Sequence, residues 1–276
     1  MRLGLSNIAP PAYDHLDHLK QLAAIGLQGI EVAPSRVWSD TWKGLSVANV
    51  EAYRVAIEAA ELEVIGLHSL FFDHPELGLF KSADARAASL DFLTHLSAVC
   101  RDLGGRTMIW GGGRRREAVS ADDAVAEAVR FMGELCRRIE NHGTVVCFEP
   151  LGPMDSDFIN SAAESLHIVQ TVDHPALQIQ LDAKALVEND EARVETVKAM
   201  AGHLAHFHAN EPKLAILGSS GLVDHAALGE MLYAAGYGGY VSIEQRMFSA
   251  EGSIDDIRRS AQVLRDSYFP RRINAT

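Results

Sequence analysis

The sequence predicts a (β/α)₈ barrel forming a single domain over residues 1–276. Three observations predict it. Short runs rich in Val, Ile or Leu alternate with longer amphipathic stretches from one end of the chain to the other. Eight such runs occur, spaced on average about 34 residues apart, the repeat expected for this barrel. No linker or low-complexity stretch divides the chain, and 276 residues is an ordinary length for a one-domain barrel. An open doubly wound sheet is the structural rival, but the G-x-G-x-x-G turn that would mark it does not follow the first strand.

The elements follow in order. The first strand is expected at Arg2–Ile8, and the helix after it at Asp14–Ile25, where Leu16, Leu19, Leu22 and Ala23 recur at helical spacing. Strand Gln28–Val32 leads to helix Val47–Ala60, and strand Glu63–His68 to helix Ala83–Leu103. Strand Arg106–Trp110 precedes helix Ala121–Asn141, and strand Thr144–Glu149 precedes helix Ser161–Val172. The last three units pair Leu177–Asp182 with Arg193–Met200, His203–His208 with Val223–Ala235, and Tyr240–Glu244 with Ile254–Ser267. Gly26, Gly104, Gly143 and Gly236 close helices where a left-handed cap is needed.

Composition limits the function. Hydrophobic residues make up 47% and charged ones 22%, which suits a soluble chain with a sizeable core. The net charge of −12 opposes a polyanion, so no nucleic-acid partner is expected. Arg114, Arg115 and Arg116 form the only tight basic cluster, and such a run is expected in a solvated loop or at a helix start. Cys100, Cys136 and Cys147 give neither a disulfide framework nor zinc-knuckle spacing; buried thiols in a reducing cytoplasm are expected. The opening MRLGLSNIAPP lacks the pattern of a signal peptide, and no apolar stretch approaches the roughly 20 residues of a membrane span.

Active sites of such barrels lie where strands end. The terminal polar residues are Glu31, His68, Trp110, Glu149, Asp182, His208 and Glu244, with Ser6 and Asn7 on the first strand. The four from Glu149 onward are separated by 33, 26 and 36 residues, each close to one strand–helix unit. Consecutive units lie side by side, so these four side chains are expected to converge. Three clustered carboxylates repel by several kcal/mol per pair at about 4 Å and an effective dielectric near 20. A divalent cation relieves this, and three oxygen ligands with one imidazole suit Mn²⁺, Mg²⁺, Co²⁺ or Zn²⁺. The competing explanation for each residue is that it caps a helix or pairs with a lysine. No G-x-S-x-G elbow, P-loop or H-E-x-x-H motif competes for the role of active site. Gly111-Gly112-Gly113 is either a flexible turn or a backbone cradle for phosphate.

These residues carry a resemblance. Phe148-Glu149-Pro150-Leu151 followed by Asp157-Phe158-Ile159-Asn160, then Leu181-Asp182, His206-Phe207-His208 and Ile243-Glu244, resemble the motifs of the xylose-isomerase-like barrel superfamily. The likeness is to its sugar phosphate isomerase/epimerase branch, which includes the ketose 3-epimerases, and it extends over nearly the whole chain. The Gly26–Val32 stretch is also typical of it. The resemblance implies that Glu149, Asp182, His208 and Glu244 ligate one divalent metal ion, with Mn²⁺ first among the candidates. It implies that Glu149 and Glu244 also exchange the substrate proton. Asp155 lies where the family places a glutamate on a substrate hydroxyl, and Glu31 and His68 fall at pocket positions. Two departures stand out. Ala185 replaces a histidine, beside which Lys184 either supplies a cation to a substrate oxygen or phosphate or points to solvent, and Lys213 alone offers positive charge where ketose 3-epimerases have an arginine.

The activity so implied is isomerisation or epimerisation of a small carbohydrate or polyol through a metal-stabilised enediolate. His68 would either assist by hydrogen bonding or line the barrel as a satisfied histidine, and Trp38, Trp42, Phe71, Phe72 and Trp110 would either wall the sugar or serve as packing. A dehydratase of the inosose type uses the same scaffold and is the alternative. An abasic-site endonuclease would need further histidines where this chain has Trp110-Gly111 and Ala185. A sugar-binding protein without turnover is a further alternative. Homo-oligomers are common in the family.

Overall fold

The computed structural model describes residues 1–269, and in it each expected βα unit is present. The strands are β1 (Arg2–Ser6), β2 (Gly29–Val32), β3 (Glu63–Leu67), β4 (Thr107–Trp110), β5 (Val145–Phe148), β6 (Leu177–Asp182), β7 (Leu204–Asn210) and β8 (Tyr240–Glu244). Every neighbouring pair is parallel, and β1 closes on β8 through Arg2 opposite Tyr240 and Leu5 opposite Ile243. The result is a closed barrel in sequence order, β1 to β8, with helices in the crossovers. The expected bound at residue 276 extends beyond the described residues.

The helices are α1 (Leu19–Ala24), α2 (Val47–Glu58), α3 (Ala83–Asp102), α4 (Ala121–Ile139), α5 (Ala162–Val172), α6 (Ala183–Glu188), α7 (Val194–Met200), α8 (His225–Ala234) and α9 (Ser253–Tyr268). Polar side chains start several of them. Ser46, Ser82, Ser120, Ser161 and Asp224 each accept a hydrogen bond from a first-turn backbone N–H. Such a cap stabilises a helix by about 1 kcal/mol. Gly26, Gly104, Gly143 and Gly236 all take φ between 73° and 93°, the left-handed conformation expected where helices stop. In α4 the buried residues Ala124, Ala128, Phe131, Met132, Leu135 and Ile139 recur every three or four positions, so one stripe packs inward.

Two local differences have physical causes. The first turn expected for the Asp14–Ile25 helix is a 3₁₀ segment, His15–His18, and only Leu19–Ala24 is α-helical. The short helix α6 was not expected; it begins at once after β6 because Asp182 accepts a hydrogen bond from the Ala185 N–H at 2.8 Å and so caps it. Cys100, Cys136 and Cys147 are free and buried, and burial pushes all three thiols up. Among the described residues no helix is long and apolar enough to cross a membrane.

Candidate active site

Strand register decides which side chains meet at the barrel mouth. β6 and β7 pair so that Asp182 stands opposite His208, and β7 and β8 so that Asn210 stands opposite Glu244. Glu149 directly follows Phe148, the last residue of β5. Glu149, Asp182 and His208 are buried and offer ligand atoms within 4.8 Å of one another. Glu244 joins them, with Oε2 3.5 Å from His208 Nδ1, while Glu149 Oε1 lies 4.0 Å from the same nitrogen. All four expected metal ligands therefore converge.

The imidazole is oriented from behind. His208 Nε2 lies 2.8 Å from Glu31 Oε2, and Ser242 Oγ donates to the same oxygen at 3.2 Å. His206 Nε2 is 3.2 Å from the other Glu31 oxygen. Glu31, His206 and His208 could themselves hold an ion by proximity. Glu31 Oε2 is engaged by His208 and Ser242, whereas Oε1 has only His206 Nε2 at 3.2 Å and no hydrogen bond among the described residues; through Oε2 the carboxylate supports His208. A carboxylate on Nε2 fixes the tautomer and turns the Nδ1 lone pair toward the opening. Nδ1 is buried without a hydrogen-bond partner among the described residues. An orphaned imidazole nitrogen facing three carboxylates fits a divalent cation, with oxygen and nitrogen donors of the hard-to-borderline kind.

Asn210 completes the frame, and its role was not legible in the sequence. Its amide nitrogen donates to Asp182 Oδ2 and to Glu244 Oε2, the latter at 2.9 Å, while its carbonyl accepts from the Lys184 N–H at 2.9 Å. His68 Nε2 hydrogen-bonds Ser6 Oγ at 2.6 Å, and its Nδ1 lies 3.7 Å from Glu244 Oε1. A Cβ at Gly111 would lie 2.2 Å from Glu149 Oε2, so a larger residue there would displace the Glu149 carboxylate from its present position. Of the two alternatives for the triple-glycine run, the structure therefore gives its first residue a third task, making room for a carboxylate.

A cavity of about 910 Å³ opens over these groups. His68, Asp155, Lys184 and Lys213 all line it, as expected. Lys184 forms an ion pair with Asp155 and lies 3.7 Å from Glu188, so its charge is already paired within the cavity wall. Trp110 also borders the cavity, but it is only 1% exposed. It packs edge-on against Phe71 and Phe131, and its Nε1 donates to the Gly112 carbonyl at 2.8 Å. Glu31 is fully buried and is not among the cavity-lining residues; it acts through His208. Of the expected aromatic wall, Phe71, Phe72 and Trp110 reach the cavity. Trp38 packs on Tyr53 and Trp42 on Phe92, away from it.

The arginine cluster needs a correction. Arg114 is not solvated but 1% exposed. Its guanidinium donates to the carbonyls of Trp110, Glu149, Phe158 and Ile159 and stacks 5.0 Å from the Phe148 ring. It ties the ends of β4 and β5 to the loop carrying Asp155–Asn160. Loop closure over this charge, which no local pattern encodes, explains the difference.

Charge crowding shifts the cluster's proton affinities. Burial, with Asp182 beside it, pushes Glu149 up to about 8; burial and Glu244 push Asp182 up to about 6. Burial also opposes ionisation of Glu244, but His208, His68 and Asn210 outweigh it and hold that group at about 2. Burial is likewise overcome at His208, which Glu31 and Glu244 raise well above the usual imidazole range. Glu149 and Asp182 bind protons more tightly when folded than unfolded, and so does His208. Their contribution to stability is therefore lost as pH rises through the window from about 4.5 to about 8. The chelator-treated protein is expected to melt lower at about pH 8 than at about pH 5.5, by on the order of a few kcal/mol in stability. Added divalent cation should restore more at the higher pH, because it competes with protons for the same donors. Calorimetry at both values checks this; a melting point that rises with pH in the chelated protein would contradict it.

Comparison with known proteins agrees with the fold. Residues 19–267 match the model of the xylose isomerase-like TIM barrel family. A D-psicose 3-epimerase of Ruminiclostridium cellulolyticum is 27% identical over 128 residues, 46% of this chain. That match spans only 43% of the relative's own length. A crystal structure of D-psicose 3-epimerase with D-tagatose, from Clostridium cellulolyticum H10, superposes with a TM-score of 0.82 at 16% identity, covering 97% of this chain and 99% of that one. The structure of 3-keto-D-glucoside 4-epimerase from E. coli gives 0.78 at 21% identity, covering 95% and 99%. At these identities the structural likeness establishes the fold.

Proposed function

This chain belongs to the xylose isomerase-like TIM barrel family, and on that premise we propose that it is a divalent-metal-dependent sugar epimerase or isomerase. One observation carries the reading: Glu149 and Glu244 flank the unpartnered Nδ1 of His208 from different strands, with Asp182 beside them. The names of its relatives, epimerases of D-psicose and of 3-keto-D-glucoside, support the same chemistry.

Glu149, Asp182, His208 and Glu244 would hold the ion, with Mn²⁺ first among the hard-to-borderline cations that suit them. When bound, such an ion supplies the Lewis acidity that acidifies a C–H beside a carbonyl. The protein's own groups do the rest. Glu244 is steered by Asn210 and His68, so its carboxylate keeps one orientation. Glu149, after the fifth strand, approaches the same His208 nitrogen, at 4.0 Å against 3.5 Å for Glu244. One glutamate removes the substrate proton and the other delivers a proton to the opposite face, which inverts the carbon. Delivery to the neighbouring carbon instead exchanges aldose and ketose. His68 lies close enough to Glu244 to hydrogen-bond a substrate hydroxyl next to it. The cavity volume suits a monosaccharide with room for substituents. A small carbohydrate substrate, a cytoplasmic location and a homo-oligomeric state complete the proposal, with no nucleic acid or membrane as partner.

The test measures metal per chain in the wild type and in Glu149→Gln/Asp182→Asn, together with solvent-deuterium incorporation into ketoses. About one divalent ion per chain, lost in the double variant, and a deuteron at the epimerised carbon are expected. A protein that takes up no metal on reconstitution would overturn the reading.

A further inference from the structure

Arg114, Arg115 and Arg116 follow β4, and all three grip the loop that follows β5, residues 150–160. Arg114 holds the end of this loop through the Phe158 and Ile159 carbonyls. Arg115 Nη2 donates to the Met154 carbonyl, and Arg116 Nε donates to the Asp157 carbonyl at 3.0 Å. The same loop begins directly after Glu149 and lines the cavity with Leu151, Gly152, Asp155 and Ser156.

A carboxylate returns the grip. Asp157 Oδ1 accepts the Arg116 backbone N–H at 2.8 Å, and Oδ2 accepts the Glu117 N–H at 3.2 Å. Glu117 takes the left-handed conformation, φ 51°. Successive N–H groups in such a turn make a concave seat for an anion. Here, just beyond the triple-glycine run, the protein's own Asp157 occupies the seat. The base of the loop is closed separately. The Leu151 N–H donates to the Ile159 carbonyl at 3.1 Å, and Asn160 Nδ2 donates to the carbonyls of Leu151 and Ser156 at 2.8 and 3.1 Å. Only the tip then remains to be placed, and its anchors, at Met154 and Asp157, stand on either side of Asp155.

Asp155 needs those anchors. Its carboxylate pairs with Lys184 in the first turn of α6, but its side chain is 44% exposed, and an ion pair so open to water holds a carboxylate weakly. The backbone anchors supply the rest. Asp157 is itself exposed, so replacing it should cost little overall stability. Its effect is on where Asp155 stands.

We propose that Asp157 is a positioning residue of the reaction: seated on the Arg116 and Glu117 N–H groups, it fixes Asp155 at the cavity wall, where Asp155 binds a sugar hydroxyl away from the reacting carbon. The proposal rests on the epimerase reading above and adds to it a residue that touches neither metal nor substrate. A contact remote from the reacting carbon is made equally in the ground and transition states, so its loss raises KM and spares kcat.

The test measures kcat and KM of the metal-loaded protein on whichever of D-fructose, D-tagatose and their 6-phosphates the wild type turns over fastest. Asp157→Ala is expected to raise KM by about 10-fold or more, with kcat within about 2-fold of the wild type and metal content unchanged. Asp157→Asn keeps one acceptor and should fall between the two; it carries the test alone if the alanine variant does not fold. Asp155→Ala is expected to raise KM as well. Asp155→Ala/Asp157→Ala should raise it no further than Asp155→Ala does, because the anchor then has nothing left to place. Effects that multiply in the double variant, or a KM unchanged in the Asp157 variants, would overturn the positioning role and leave the epimerase reading standing. A fall in kcat in step with metal content would overturn it too, since the loop would then serve Glu149 instead. A wild type that exchanges solvent deuterium into none of the four sugars would overturn both.

Discussion

Glu244→Gln is expected to lower kcat by about 100-fold to 10,000-fold, the range by which a positioned proton-transfer group accelerates a reaction. The amide keeps the shape of the carboxylate but not its charge; the stabilisation that His208, His68 and Asn210 give the ionised group is lost, relief of the repulsion with Glu149 and Asp182 offsets part of that, and the barrel should remain folded. Kinetics must be measured at saturating metal, because Glu244 is also a candidate ligand and the amide weakens the ion's hold. Under those conditions, retention of more than about a tenth of kcat, less than about 1.4 kcal/mol in the barrier, would overturn the proton-transfer role. Deuterium exchange separates the two functions of the residue. Loss of exchange with metal still bound assigns the proton to Glu244. Recovery of exchange at higher metal concentration would leave it a ligand and nothing more.

The convergence of the four candidate ligands was legible because Glu149, Asp182, His208 and Glu244 recur at one-unit spacing near strand ends, and parallel neighbours in a closed barrel cannot avoid placing their ends together. The fold was legible for the same reason, from alternation of short and long apolar patterns. The groups that orient those ligands were not. Glu31 is 177 residues from His208 in sequence, and only barrel closure brings β2 and β7 to face each other. Asn210 lies at the end of β7, yet nothing in its neighbours distinguishes a bridge between two carboxylates from an ordinary loop amide. Likewise the pairing of Lys184 with Asp155 could not be anticipated, because Asp155 is 29 residues away, on a loop whose path the sequence does not specify. Side chains that face the site in consecutive units can be anticipated; partners across the barrel, or on loops that fold back, depend on tertiary packing that no periodicity reports.

Arg114 is the sharpest case, and it carries the second large effect. A guanidinium suits its position because its planar fork presents five donors, and here they reach four backbone carbonyls. Burial pushes its pKa down to about 10, so it stays charged at neutral pH, and the nearby Glu149 carboxylate favours that charge. Arg114→Met removes the donors and leaves four buried carbonyls without their partner. Unsatisfied buried groups of this kind add up, and a loss of about 3–5 kcal/mol in unfolding free energy is expected in urea titration. Arg114→Lys should recover only part of it, since one ammonium cannot span the four acceptors. The loss has a functional component as well. Without the charge beneath it, Glu149 binds its proton still more tightly, so metal affinity at neutral pH should fall in both variants even where the barrel remains folded. If Arg114→Met instead unfolds within about 1 kcal/mol of the wild type and binds metal equally well, Arg114 is a bystander. The mouth of β4 and β5 would then be held by the aromatic packing around Phe148 and Trp110 alone.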